Sequence, residues 1–309
     1  DPILRHVRLQ HNKPFGGVQV LFIGDLFQLP PIIPDNEWSL LSQFYNSPYF
    51  FDSRVLRDEQ PLYIEFTRIY RQSEDQFINL LNQVRNNDLN SEGIALLERR
   101  FQPAFRHRLN DGYIILTTHN YKADVINLEE LQKLPGRSLS YPAEVEGEFS
   151  ERSFPADEML QLKVGAQVMF LRNDMDKSKR YFNVLIGVVT KREYDRIFVQ
   201  CANEDREIEV KRETWENIRY SWNKNTRTLD EEVLGSFRQY PLRLAWSITT
   251  HKSQGLTFEK AVVDAGAAFA PGQVYVALSR LTGLGGLVLR SPILSGSILT
   301  DARIMDLPL

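Results

Sequence analysis

Near the carboxyl end of the chain six consecutive polar residues, Thr249-Thr250-His251-Lys252-Ser253-Gln254, are closed by Gly255. They follow directly on Leu242, Leu244, Trp246 and Ile248, whose period-two spacing predicts a strand with one buried face. A strand ending in hydroxyls, an imidazole, an ammonium and an amide presents donors where ligands of open α/β folds bind. An ordinary polar loop is the other reading of any one of these residues. The pattern occurs a second time. Tyr113-Ile114-Ile115-Leu116 predicts a short strand running into Thr117-Thr118-His119-Asn120, with a helix over about 122–134. Such groups and helix N-termini bind phosphate or sugar oxygens. Asn120 also reads as a simple N-cap, which leaves Thr117 and Thr118 for another role.

Three further stretches carry candidate chemistry. Val18-Gln19-Val20-Leu21-Phe22-Ile23 is nearly continuously apolar, as a strand buried on both faces of a parallel sheet would be. It ends in Gly24-Asp25-Leu26-Phe27-Gln28-Leu29-Pro30-Pro31. There Asp25 occupies the strand's carboxyl end, and the prolines fix the loop that holds the Gln28 amide. Asp25 as a cap and Gln28 as plain surface are the alternatives. Ile64–Gln72 reads as a strand with Arg71 and Gln72 at its end, followed by a capping box of Ser73 and Gln76. Phe77, Leu80, Leu81 and Val84 then form a helix face. An Arg at such an edge can reach a phosphate on another domain, although alone it is more often a salt-bridge residue. Finally, Pro271 opens a helix with Val274, Ala277, Leu278 and Leu281 buried and Gly283 at C′. Gln273 and Arg280, seven apart, share a face of it.

The elements that must position these groups fit two domains in 309 residues. Net charge is −3, so binding of nucleic acid would depend on a local basic groove. A single cysteine, Cys201, excludes an internal disulfide framework and a Cys-rich zinc site, and the five histidines show no metal-ligand spacing. No apolar run approaches the ~20 residues that span a bilayer. The chain opens on Asp1 without a secretory signal, which suggests a fragment or a processed chain. Ser91 is expected to cap a short helix through Arg99, and the aromatic stretch 34–63 to pack as a small helix and strand under long loops. From Val164 to about Gln239 the texture changes to short alternating segments (165–171, 183–190, 196–200, 206–210), which predict a small β-barrel.

Taken in order, these elements resemble the Pif (petite integration frequency) helicases of superfamily 1. Gly24–Pro31 looks like helicase motif III, Tyr70-Arg71-Gln72 like motif IV, Thr249–Gly255 like motif V, and Val274-Tyr275-Val276-Ala277-Leu278-Ser279-Arg280 like motif VI. Leu162–Met169 is also of the family's kind, and the resemblance covers nearly the whole chain. The sequence departs from the family in having no Gly-x-x-x-x-Gly-Lys-Ser/Thr and no Asp-Glu Walker B pair upstream of residue 18. It also has Asn183-Val184 where the family commonly has Asn-Gly.

The resemblance implies an α/β fold. Residues 1–64 would be the tail of one RecA-like domain, and 65–164 with 240–309 a second RecA-like parallel-sheet domain. Residues 165–239 would be an inserted small β-barrel of Src-homology-three type. It further implies a 5′-to-3′ DNA helicase that hydrolyses ATP with Mg²⁺, both held mainly by polypeptide upstream of Asp1, so that these residues alone would be inactive. Gln28, Arg71 and Arg280 would be catalytic. Gly24, Asp25 and Gly255 would join them around the nucleotide. Thr117, Thr118, His119, Thr250, His251, Lys252, Ser253 and Gln254 would contact single-stranded DNA. Forked duplex DNA is a further expected partner, the protein a monomer without membrane contact, and its roles DNA repair, recombination and telomere maintenance. An intracellular location follows: cytoplasmic in a bacterium, nuclear or mitochondrial in a eukaryote. A binding remnant without a P-loop is the alternative.

Overall fold

The computed structural model describes residues 1–58, 61–106, 111–175, 179–201, 207–223 and 228–305. It divides the chain into two units, 1–118 with 250–309, and 119–249. In chain order the first unit carries helices α1 (Pro2–Val7), α2 (Asp35–Leu41), α3 (Arg54–Asp58), α4 (Asp75–Arg85) and α5 (Ser91–Arg100), then strand β1 (Ile114–Thr117). The second unit opens with α6 (Asn120–Lys133) and continues through β2 (Leu139–Pro142), β3 (Glu144–Gly147), β4 (Met159–Leu162), β5 (Gln167–Phe170) and β6 (Ile186–Arg192). It closes with β7 (Ile197–Cys201), β8 (Ile208–Val210), β9 (Glu213–Asn223), β10 (Thr228–Gln239), β11 (Leu242–Leu244) and β12 (Ser247–Thr249). The chain then returns to the first unit for β13 (Ala261–Asp264), α7 (Gln273–Ser279), β14 (Leu287–Leu289) and α8 (Ala302–Met305). These units are drawn by packing and differ from the bounds 1–64, 65–164 with 240–309, and 165–239 expected from the resemblance.

In the first unit β1, β13 and β14 pair in parallel, with Ile114 opposite Ala261 and Ala261 opposite Leu287. Their side chains are buried on both faces almost throughout, which is why these strands read as unbroken apolar runs. Helix α4 buries Phe77, Leu80, Leu81 and Val84 as its spacing predicts. Its start differs from expectation. Ser73 and Gln76 form no capping box; the N-cap is Glu74, which makes no side-chain cap bond. The Glu74 carboxylate instead accepts from the backbone N–H of Leu284, 3.0 Å away, so a tertiary contact has taken the local one's place. Helix α5 is capped by Asn90, whose Oδ1 accepts from Gly93 N at 2.9 Å, and Ser91 is its first residue. Gly283 is not a left-handed C′ residue, since its φ is −163°.

Two expected strands are not formed. Residues 18–23 and 61–69 lie in no helix or strand, and Leu21, Ile23, Leu62, Ile64 and Phe66 are exposed. A strand is stabilised by its ladder, and neither stretch has one among the described residues. The 34–63 stretch holds helices but no strand among its described residues.

In the second unit α6 begins at Asn120 with His119 as N-cap, one residue ahead of the N-cap expected from sequence. Asn127, buried on α6, clamps the chain near β12: its Nδ2 donates to Ser247 O (2.9 Å) and its Oδ1 accepts from Ser247 N (2.8 Å). The alternation at 242–248 is broken at Ala245-Trp246 into β11 and β12, with Leu242, Leu244, Ala245, Trp246, Ser247 and Ile248 all buried and only Arg243 partly exposed. Antiparallel strands occupy the expected barrel region. One sheet runs β11-β5-β6-β7-β8 and another β3-β10-β9, with β2 and β4 paired beside them. Val168, Phe170, Val189, Ile197, Val199 and Tyr240 anchor a core that the five-stranded sheet shares with Tyr141 of β2 and Leu160 and Leu162 of β4. Before β6, Val184 sits at φ +73° in the Asn183-Val184 turn, a conformation costly for a β-branched residue.

Candidate functional site

Arg280 follows α7, whose apolar residues Val274, Ala277 and Leu278 are buried and fix the helix against its unit. The Arg280 side chain is only 2% exposed. Nε donates to Val276 O at 3.0 Å and Nη2 to Ser279 Oγ at 2.8 Å. Among the described residues no carboxylate forms an ion pair with it. Burial, and then the neighbouring charge of Arg71, push its guanidinium down to about 10, so it remains a cation at neutral pH. A desolvated cation with no directly paired carboxylate among the described residues is costly, and an anionic ligand would relieve that cost.

Arg71 and Gln72 bind the same peptide. Arg71 Nη1 donates to Ser279 O (2.9 Å) and its Nε to Thr257 Oγ1 (3.0 Å). Gln72 Nε2 donates to Ser279 O (3.2 Å) and Leu281 O (2.7 Å). Two guanidinium groups are thus held close by neutral hydrogen bonds. Planar forks of this kind match the oxygens of a phosphate.

The loop 24–31 meets α7 within the same unit. Asp25 Oδ1 accepts from Phe27 N (3.1 Å), while Oδ2 accepts from Gln28 Nε2 (3.3 Å) and from the Tyr275 hydroxyl (3.1 Å). Burial, and then the Asp25 charge and hydrogen bond, raise the Tyr275 phenol to about 12, so it stays a donor across the physiological range. Gly272, at φ +76°, packs on the same loop: a Cβ there would lie 2.6 Å from Phe27 O and 2.7 Å from Gln28 O. The Arg85 guanidinium covers the Phe27 ring at 4.1 Å. Gly24 is exposed, and a side chain there would meet open space.

The polar turn at 249–255 divides by burial. Thr250 is fully buried, its N–H (2.8 Å) and hydroxyl (3.1 Å) both donating to Thr117 O, and the buried Ser253 hydroxyl donates to Thr250 O at 2.7 Å. These hydroxyls build the turn. Lys252 and Gln254 are exposed and His251 is half-buried, its imidazole shifted below its ordinary value by burial. Gly255 closes the turn at φ +80°. Thr117 and Thr118 are buried at the end of β1. His119 lies in the second unit, its ring 5.5 Å from that of Tyr121.

Gln28 with Asp25, and Arg71 with Arg280, are therefore brought together as two constellations on α7. Thr257, Ser279, Tyr275 and Gly272 complete them and were not singled out from sequence as site residues. Tyr275 stood in the motif run, and Gly272 immediately before the helix, but the partner of each lies about 250 residues away.

The parallel sheet β1-β13-β14 with helices packed beside it is of the RecA-like kind, and solved structures agree. A Bacteroides Pif1 helicase determined with ADP-AlF3 and ssDNA is 39% identical, with TM-score 0.80, over 99% of this chain and 70% of that one. The chain is 32% identical over 300 residues to the human ATP-dependent DNA helicase PIF1, and 33% identical over 341 residues to the Psychrobacter ATP-dependent DNA helicase Pif1. These alignments take in 93% and 94% of the chain but 42% and 50% of those proteins, so it spans about half their length or less. A model of the PIF1-like helicase family matches residues 1–93. The chain belongs to the PIF1-like helicase family.

Proposed function

We propose that the whole protein is an ATP-dependent 5′-to-3′ DNA helicase and that these 309 residues form its motor portion from motif III to motif VI. In this reading residues 1–64 are the tail of one RecA-like domain, 65–164 with 240–309 the second, and 165–239 the insertion. The observation that carries it is Arg280, buried, without an ion pair among the described residues, and beside Arg71.

That donor set fits the phosphates of a nucleotide. ATP supplies a γ-phosphoryl group over whose oxygens negative charge spreads during transfer. Arg280 and Arg71 bind that charge, and Gln28, oriented by Asp25, reports the γ-phosphate to the loop. Gly24 and Gly255 leave room for the ligand to approach. An arginine in this role contributes roughly 10³–10⁵ in rate. Mg²⁺ enters the proposal with the nucleotide, held mainly by polypeptide outside these residues, and no step is routed through it. The Walker A cradle is assigned there too.

Single-stranded DNA is the proposed track. His251, Lys252 and Gln254 present the outward donors of the 250s turn, which Thr117, Thr250 and Ser253 hold in shape; Thr118 and, in its own unit, His119 are proposed as further DNA contacts. Phosphate contacts of this kind specify no sequence. Forked duplex DNA is the substrate to be opened, by a monomer in an intracellular compartment. DNA-stimulated ATPase and strand separation by the full-length protein, with an Arg280→Ala control, test the reading. A binding remnant that never hydrolyses ATP would show neither activity.

A further inference from the structure

We propose that Tyr275 is a positioning residue that holds the Asp25 carboxylate off Arg280 and so keeps the buried guanidinium open to phosphate. The inference rests on the function proposed above. A buried, unpaired arginine attracts any carboxylate in its field, and Asp25 lies within the electrostatic reach of Arg280. Yet the two form no ion pair, and Asp25 is instead occupied by three donors. Phe27 N takes Oδ1, while Gln28 Nε2 and the Tyr275 hydroxyl share Oδ2. Two of these donors come from Asp25's own loop. Only the tyrosine reaches across from the segment that carries Arg280, five residues further along. Gly272 fixes the distance over which it reaches, because the backbone of Phe27 and Gln28 lies where its Cβ would be.

Loss of the hydroxyl therefore has a specific consequence. Asp25 Oδ2 keeps one weak donor at 3.3 Å and turns to the unpaired cation. The Asp25–Arg280 pair that forms competes with phosphate for the same guanidinium. A phenylalanine keeps the ring packing, so the effect belongs to the hydrogen bond alone.

The test is DNA-stimulated ATPase of the full-length protein, with single-strand affinity and urea midpoint as controls. Tyr275→Phe is expected to lower kcat roughly ten- to a hundredfold, as for a hydrogen bond to a charged group, with DNA affinity unchanged. In the Asp25→Asn background, where no carboxylate can pair with Arg280, the same change is expected to cost less than threefold. Gly272→Ala, which pushes the loop off α7, should lower kcat in the same way and also be relieved by Asp25→Asn. Wild-type kcat in Tyr275→Phe, or an equal loss in both backgrounds, overturns the inference. An inert wild-type protein overturns the functional reading instead. Should Tyr275→Phe fail to fold, the Gly272→Ala pair decides the matter by the same comparison.

Discussion

Gln72 Nε2 donates to the backbone carbonyls of Ser279 (3.2 Å) and Leu281 (2.7 Å), the residues on either side of Arg280. One amide therefore grips the peptide that presents the buried guanidinium, and Arg71 is delivered to it by the adjacent position in the chain. Gln72 itself is 8% exposed, so truncation leaves the Leu281 carbonyl without a ready substitute, while Arg71 Nη1 still donates to Ser279 O. Gln72→Ala is expected to cost about 1–3 kcal/mol in unfolding free energy, measured by urea denaturation. ATPase activity should fall beyond what the lost stability explains, because Arg280 is no longer held. Unchanged stability would mean that the grip contributes nothing.

The division of the 249–255 turn predicts that its members fail differently. Lys252→Ala should weaken single-strand binding and flatten the plot of log affinity against log salt by about 0.7, the value for one lost phosphate contact. Thr250→Val removes a buried hydroxyl bonded to Thr117 O, and should lower the urea midpoint while leaving the salt slope alone. A slope unmoved by Lys252→Ala would remove that residue from the DNA track.

Val184 carries strain at φ +73°. Val184→Gly should stabilise the protein by about 1 kcal/mol, the relief of a left-handed β-branched residue exceeding the entropic cost of glycine. A higher Tm with unchanged ATPase is the expected result. A lower Tm would show that the valine side chain's packing outweighs its backbone.

His251 provides a pH dependence. Burial lowers its imidazole below the ordinary 6.5, so between the two values the unfolded chain binds more protons than the folded one. Stability should therefore rise with pH over that interval and level off above 6.5. In His251→Gln the rise should shrink, as followed by urea midpoints from pH 5 to 8. An identical profile in the variant would assign the dependence to other groups.

Much of the candidate site could be picked out in the sequence because its donors are concentrated in short runs. Gly24–Pro31, Tyr70–Gln72, Thr249–Gly255 and Val274–Arg280 each pack several donors into a few residues. The apolar face of α4 followed from spacing alone, whereas α7 starts at Gln273, not Pro271, and is buried nearly all round, Gln273, Val276 and Ser279 included, with Leu281 beyond its end. What failed depended on partners distant in the chain. Val18–Ile23 and Ile64–Ile69 have strand-like composition, but composition does not supply a ladder. Ser73 has the residue type and spacing of a cap, yet Glu74 is bound by Leu284 N from the other end of the unit. The same holds for the hydroxyls of Thr250 and Ser253, whose burial converts apparent ligand donors into turn supports. The Tyr275–Asp25 bond lies beyond any local rule, since 250 residues separate its ends.

Arg280 is proposed to bind the transferring phosphate and not DNA. The most direct test is DNA-stimulated ATPase alongside single-strand affinity for full-length Arg280→Ala. A loss of roughly 10³–10⁵ in kcat is expected, with DNA affinity essentially that of the wild type. Wild-type ATPase, or an equal loss of hydrolysis and DNA binding, would contradict it.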